Sequence, residues 1–112
     1  MYYPNIPKIP YAGKGAKTGF AFRYYNPDEI VAGRTMREHC KFAMSYWHTM
    51  CAEGVDMFGV GTMDKSYGGG DPMTQAHHKA EAAFEFMDKL SIDYFCFHDR
   101  DIAPEADNLT ET

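Results

Sequence analysis

Beyond Thr35, apolar residues recur at Met36, Cys40, Ala43, Met44, Trp47 and Met50, the three- and four-residue intervals of a helix. Phe42, Met44, Tyr46, Trp47 and Thr49 would equally suit a strand. Charge separates the two readings. Charge stops for a stretch after Lys41, and the nine residues that follow, Phe42 to Met50, carry none and include three aromatics. The pattern predicts a short helix over 35–41 and a buried strand over 42–50.

Residues 51–72 read as a long loop with six glycines, Gly54, Gly59, Gly61, Gly68, Gly69 and Gly70; loops of this length in compact domains tend to be functional or interfacial. Asp71-Pro72 supplies a helix N-cap followed by proline at the first helical position. Ala76, Ala80, Ala83, Phe84, Met87 and Leu90 then mark an amphipathic helix over 72–90, with a small-residue stripe suited to close packing on a sheet. Asp93-Tyr94-Phe95-Cys96-Phe97 reads as a fully buried strand, and His98-Asp99-Arg100-Asp101 stands at its carboxyl end. Strand, helix, strand is the order of a right-handed parallel unit, and polar residues where such a strand ends are where α/β barrels place chemistry. Asn108-Leu109-Thr110-Glu111 has the form of the first turn of a helix.

Residues 1–34 hold four of the six prolines and four of the ten glycines without a sustained period, as expected of an extended arm laid over another surface. Gly13-Lys14-Gly15-Ala16-Lys17-Thr18 departs from the phosphate-loop pattern, because Ala16 stands where that pattern needs glycine before Lys-Thr. Ile, Leu and Val number only ten, against twenty-four Phe, Tyr and Met. So few branched aliphatics make a poor self-contained core and point to a piece of something larger.

Eleven basic and sixteen acidic side chains give a formal charge of −5 with no Lys/Arg cluster, which disfavours nucleic acid. No apolar run approaches a membrane span, and Met1-Tyr2-Tyr3-Pro4 lacks a signal pattern, so the expected location is cytoplasmic. Cys40, Cys51 and Cys96 include no CxxC pair and are expected to be reduced thiols. His48 and Cys51 have a zinc-like spacing without a second ligand pair, and ordinary packing is the expectation there. His77 and His78, about 100° apart on a helix, cannot share an ion and are expected at the solvated surface. No residue of the chain is expected to bind metal.

His98 and Asp101 form the one pair whose spacing supports a mechanism. A carboxylate three residues beyond the imidazole, on a turn leaving a strand, can accept the ring N–H, fix the tautomer and leave the second nitrogen free to move a proton. A structural turn in which the acids cap backbone N–H groups is the competing reading.

Four motifs in order, Tyr46-Trp47-His48-Thr49, Gly54-Val55-Asp56-Met57-Phe58-Gly59, Phe84-Glu85-Phe86 and Tyr94-Phe95-Cys96-Phe97-His98-Asp99-Arg100-Asp101-Ile102-Ala103-Pro104-Glu105, resemble the xylose isomerases of the longer class with an extra N-terminal arm. The likeness runs from Phe22-Arg23-Tyr24-Tyr25-Asn26-Pro27 to the end of the chain. Where many members have Asp-Pro-Phe-Gly, this chain has Asp56-Met57-Phe58-Gly59.

The resemblance implies an α/β fold, the N-terminal portion of a (β/α)8 TIM barrel: an extended arm over 1–34, then two parallel strands and one crossover helix within a truncated βαβ portion over 35–112. It implies interconversion of D-xylose with D-xylulose and of D-glucose with D-fructose, using two divalent cations, magnesium with manganese or cobalt as substitutes. By the same resemblance, His98 assists opening of the sugar ring and is held by Asp101, Trp47 forms an apolar wall of the sugar site, and Phe58 crosses a subunit interface of a homotetramer to close a neighbouring pocket. The cation ligands and the lysine that polarises the substrate oxygen are expected outside residues 1–112. The alternatives are another metal-dependent sugar isomerase or epimerase of the same barrel superfamily, a non-catalytic interaction segment, and a small enzyme using only His98 and Asp101.

Overall fold

The structure is a computed structural model that describes residues 1–111. A short antiparallel hairpin, β1 (Ile30–Val31) and β2 (Arg34–Thr35), turns through Ala32 and Gly33, both at positive φ (50° and 78°), the geometry of a two-residue hairpin turn. It leads into α1 (Met36–His39), whose N-cap Thr35 and third residue Glu38 bond each other's backbone N–H reciprocally. β3 (Ala43–Ser45) pairs in parallel with β4 (Tyr94–Cys96), in register Ala43 with Tyr94, Met44 with Phe95 and Ser45 with Cys96. α2 (Pro72–Leu90) connects them, and α3 (Asp99–Ile102) follows β4.

The helix over 72–90 begins and ends where the sequence places it. Asp71 Oδ1 accepts from the N–H groups of Met73 (3.1 Å) and Thr74 (3.2 Å), and Ser91, in the left-handed conformation, closes the C-terminus. Its buried residues are Ala76, Ala82, Ala83 and Met87, packed with Met44, Tyr46 and Met50. Phe84, expected on the buried stripe, is 56% exposed and meets Phe95 edge to face at 5.8 Å. Ala82, outside the expected stripe, is fully buried in the cluster with Met44, Tyr46 and Met50.

The predicted strand over 42–50 is corrected: only Ala43–Ser45 is strand, and Trp47–Cys51 winds into a π-helical turn. Both periodicities in that segment were therefore real, one after the other. The turn is stabilised from outside, because Lys65 Nζ donates to Thr49 O (3.1 Å) and the Tyr67 hydroxyl to Met50 O (2.6 Å), carbonyls that a single turn leaves without partners. The full burial expected of 93–97 is also corrected. Tyr94 and Phe97 are about half exposed, Tyr94 on the side of the strand pair turned away from α2 and Phe97 just beyond the strand's end, stacked on Phe95 at 5.5 Å. The solvated-surface expectation holds for His77 but not for His78, which is half-buried with Nδ1 3.1 Å from Tyr67 O.

The arm lies along α2. The Glu85 carboxylate accepts from the N–H of Tyr2 (2.7 Å) and of Tyr3 (3.0 Å), Lys89 Nζ donates to Tyr3 O, and Ile9 N–H donates to Lys89 O (2.8 Å). At the start of β4, Arg37 on α1 grips Asp93 with two 2.6 Å bonds. The radius of gyration is 17.3 Å, against about 13 Å for a compact domain of this length. This extension matches the aliphatic-poor composition: one small cluster is buried and two sheet edges stay open. No helix among the described residues is long and apolar enough to cross a membrane.

Two outcomes test this packing in the intact protein. Ala82 is fully buried, so Ala82→Leu forces side chains off their rotamers and is expected to cost about 1–3 kcal/mol, read as a lowered melting temperature. Glu85 is held below its ordinary value of 4.5, first by the Tyr2 N–H. A depressed carboxylate contributes stability that is present above the unfolded value and lost as pH falls through the folded one. The arm is therefore expected to stay docked from neutral pH down to 4.5 and to loosen below it. Hydrogen exchange at the Tyr2 and Tyr3 amides reads this, and Glu85→Gln is expected to expose them already at neutral pH.

Candidate functional site

β4 carries its chain to His98, and α3 then folds straight back over it. Asp101 Oδ2 accepts two hydrogen bonds from His98, one from its backbone N–H (2.7 Å) and one from ring Nδ1 (3.0 Å). A carboxylate can only accept, so the contact puts the hydrogen on Nδ1 and leaves Nε2 as the free position of the neutral ring. The pair is arranged unequally: the Asp101 side chain is 16% exposed and the His98 side chain 68%. One oxygen thus both caps the N–H, as the structural-turn reading expects, and orients the ring.

Trp47, the first residue of the π turn, lies with its ring centroid 4.6 Å from that of His98, tilted by 44°. Parallel pairing of β3 and β4 explains the meeting. Trp47 and His98 each stand two residues beyond the last register pair, Ser45 with Cys96, at the carboxyl ends of their strands. His48 is exposed and also touches Trp47 (5.6 Å). Cys51 Sγ donates to Asp101 O (3.7 Å) and accepts from Lys79 Nζ (3.4 Å), so that the turn's last residue is tied to α3 and α2.

Phe58 is not part of this cluster. It sits at the tip of a tight turn, where Asp56 Oδ1 accepts from Phe58 N–H (2.7 Å) and Asp56 and Gly59 bridge each other. Met57, Phe58 and Val60 are all nearly fully exposed. Three of the four residues singled out from sequence are thus brought together and the fourth is presented outward.

Beneath the site, Tyr46 is 2% exposed, its hydroxyl has no hydrogen-bond partner among the described residues, and burial pushes its pKa up to about 12. Lys65 and Tyr67, which hold the π turn, escaped the sequence reading. The glycine-rich setting of Tyr67 was the only signal of them, and it identified a loop without its target. Among the described residues no three His, Cys, Asp or Glu side chains converge to hold a metal ion.

No protein-family model matches the chain. It is 51% identical over 112 residues to the xylose isomerase of Caldanaerobacter subterraneus subsp. yonseiensis, 48% over 110 residues to that of Tetragenococcus halophilus and 50% over 111 residues to that of Geobacillus kaustophilus. These alignments cover 98–99% of this chain and 25–26% of the relatives. Over nearly its whole length the chain is similar to curated xylose isomerases, and it spans about a quarter of the length of the relatives it matches.

Proposed function

We propose that this segment is the N-terminal part of a xylose isomerase, with an arm over 1–34 and the opening of a (β/α)8 barrel over 35–112, and that it supplies the ring-opening station of the sugar site. The observation that carries the reading is the Asp101–His98–Trp47 arrangement at the carboxyl ends of two parallel strands. A cyclic aldose lies with its apolar face on Trp47 and its anomeric centre at His98 Nε2. Nε2 takes the proton of the anomeric hydroxyl as the bond from C1 to the ring oxygen breaks. C1 becomes the aldehyde carbonyl, and the ring oxygen collects the proton from the imidazolium. Asp101 stabilises the imidazolium while it exists and returns the ring to the same tautomer.

The two divalent cations of the family find no donor set among the described residues, so the chemistry assigned to this segment is ring opening alone. Their ligands, and the isomerisation of the open chain, fall to the rest of the protein. Phe58, on its exposed turn, is suited to enter the sugar pocket of a second copy in a homo-oligomer, for which we propose a tetramer.

In the full-length protein, His98→Gln is expected to lower kcat/KM on xylose by about 10²–10⁴, the usual contribution of a positioned proton-transfer group. Asp101→Asn is expected to act in the same direction. Glyceraldehyde, a three-carbon aldose too short to close a ring, separates the steps: its turnover should change little in His98→Gln. Equal losses on both sugars would remove His98 from ring opening. Residues 1–112 expressed alone are expected to show no cation-stimulated turnover of xylose, and activity matching a full-length enzyme would refute the division of labour.

A further inference from the structure

We propose that Tyr67 is a positioning residue of this site, holding the Trp47 wall against His98 by gripping the far end of the π turn; the proposal rests on the sugar-site reading above. Tyr67 has φ 52° and precedes three glycines at 98°, 78° and 103°. A tyrosine adopts that left-handed conformation only where its surroundings impose it, and such strain collects at functional sites. Here the conformation carries the phenol into the protein, where it donates to Met50 O at 2.6 Å.

The donor is anchored independently of the turn it grips. Its ring packs edge to face on Tyr2 of the arm (6.4 Å), and its own carbonyl accepts from His78 Nδ1 on α2 (3.1 Å). Burial pushes the phenol's pKa up, so it remains a protonated donor. Lys65, from the same loop, takes the neighbouring Thr49 carbonyl, and Cys51 ties the turn to Asp101 O. A π turn is a strained insertion that persists where such outside bonds hold it, and single π turns recur at functional sites. Trp47 begins this one, so slackening at Met50 is transmitted over one turn to the indole facing His98.

The experiment is a double-mutant cycle in the full-length enzyme with Tyr67→Phe and Trp47→Ala, reading KM and kcat for xylose. Loss of one neutral hydrogen bond corresponds to about a five-fold effect. Tyr67→Phe is expected to raise KM about that much with kcat unchanged, the signature of lost uniform binding. In the Trp47→Ala background the same change should have no further effect. Tyr67→Trp, which keeps an N–H donor on a flat ring, is expected to restore most of the KM and serves as the reference should Tyr67→Phe fold poorly. An additive cycle, a wild-type KM in Tyr67→Phe, or a Tyr67→Trp no better than the phenylalanine variant overturns the proposal. His98→Gln, run alongside, separates the two failures: full ring-opening activity there sinks the site reading itself, whereas its loss beside a silent Tyr67→Phe sinks only the role of Tyr67.

Discussion

A parallel strand pair is stable only when both of its faces are covered, and this chain covers one. Met44 and Phe95 point to α2, whose alanines let it approach closely, while the alternation of side chains turns Ala43, Ser45, Tyr94 and Cys96 the other way. Most of that second face is exposed, Ala43, Tyr94 and Cys96 with it. The buried hydroxyl of Ser45, without a partner among the described residues, lies on it. The exposure of Tyr94 and Cys96 follows from this imbalance. Trp47 and His98 meet just beyond the carboxyl ends of the two strands, which run parallel and in register.

The elements most legible in the sequence were those whose signals are local. Asp71-Pro72 and the alanine spacing placed α2 to the residue, because capping and periodicity are properties of neighbouring side chains. His98 and Asp101 were legible for the same reason, three residues apart on a turn. What the sequence obscured depended on distant donors. Phe42 to Met50 reads as a strand by content, and its second half winds into a π turn because Lys65 and Tyr67, fifteen or more residues away, take its carbonyls. His78 looked like surface until the Tyr67 carbonyl fell beside it. The role of Phe58 stays outside both descriptions, since its turn leaves it exposed.

Polar contacts here do more to locate elements than to bury area. Arg37 with Asp93 fixes α1 at one end of the sheet, Glu85 with two successive amides fixes the arm along α2, and Asp101 with two groups of His98 fixes α3 at the other end. Each uses a carboxylate as a two-point clamp. In a chain poor in branched aliphatics such clamps set orientation that a larger core would otherwise set by packing.

The winding of Trp47–Cys51 makes this stretch intolerant of changes in length. A π turn accommodates one residue more than an α-helical turn between the same hydrogen-bond partners. Deleting a single residue there would let the backbone relax into ordinary helix and swing the indole about 100° around the axis, away from the imidazole. Homologous proteins that keep this aromatic pair should therefore vary in side chains along the segment while conserving its residue count.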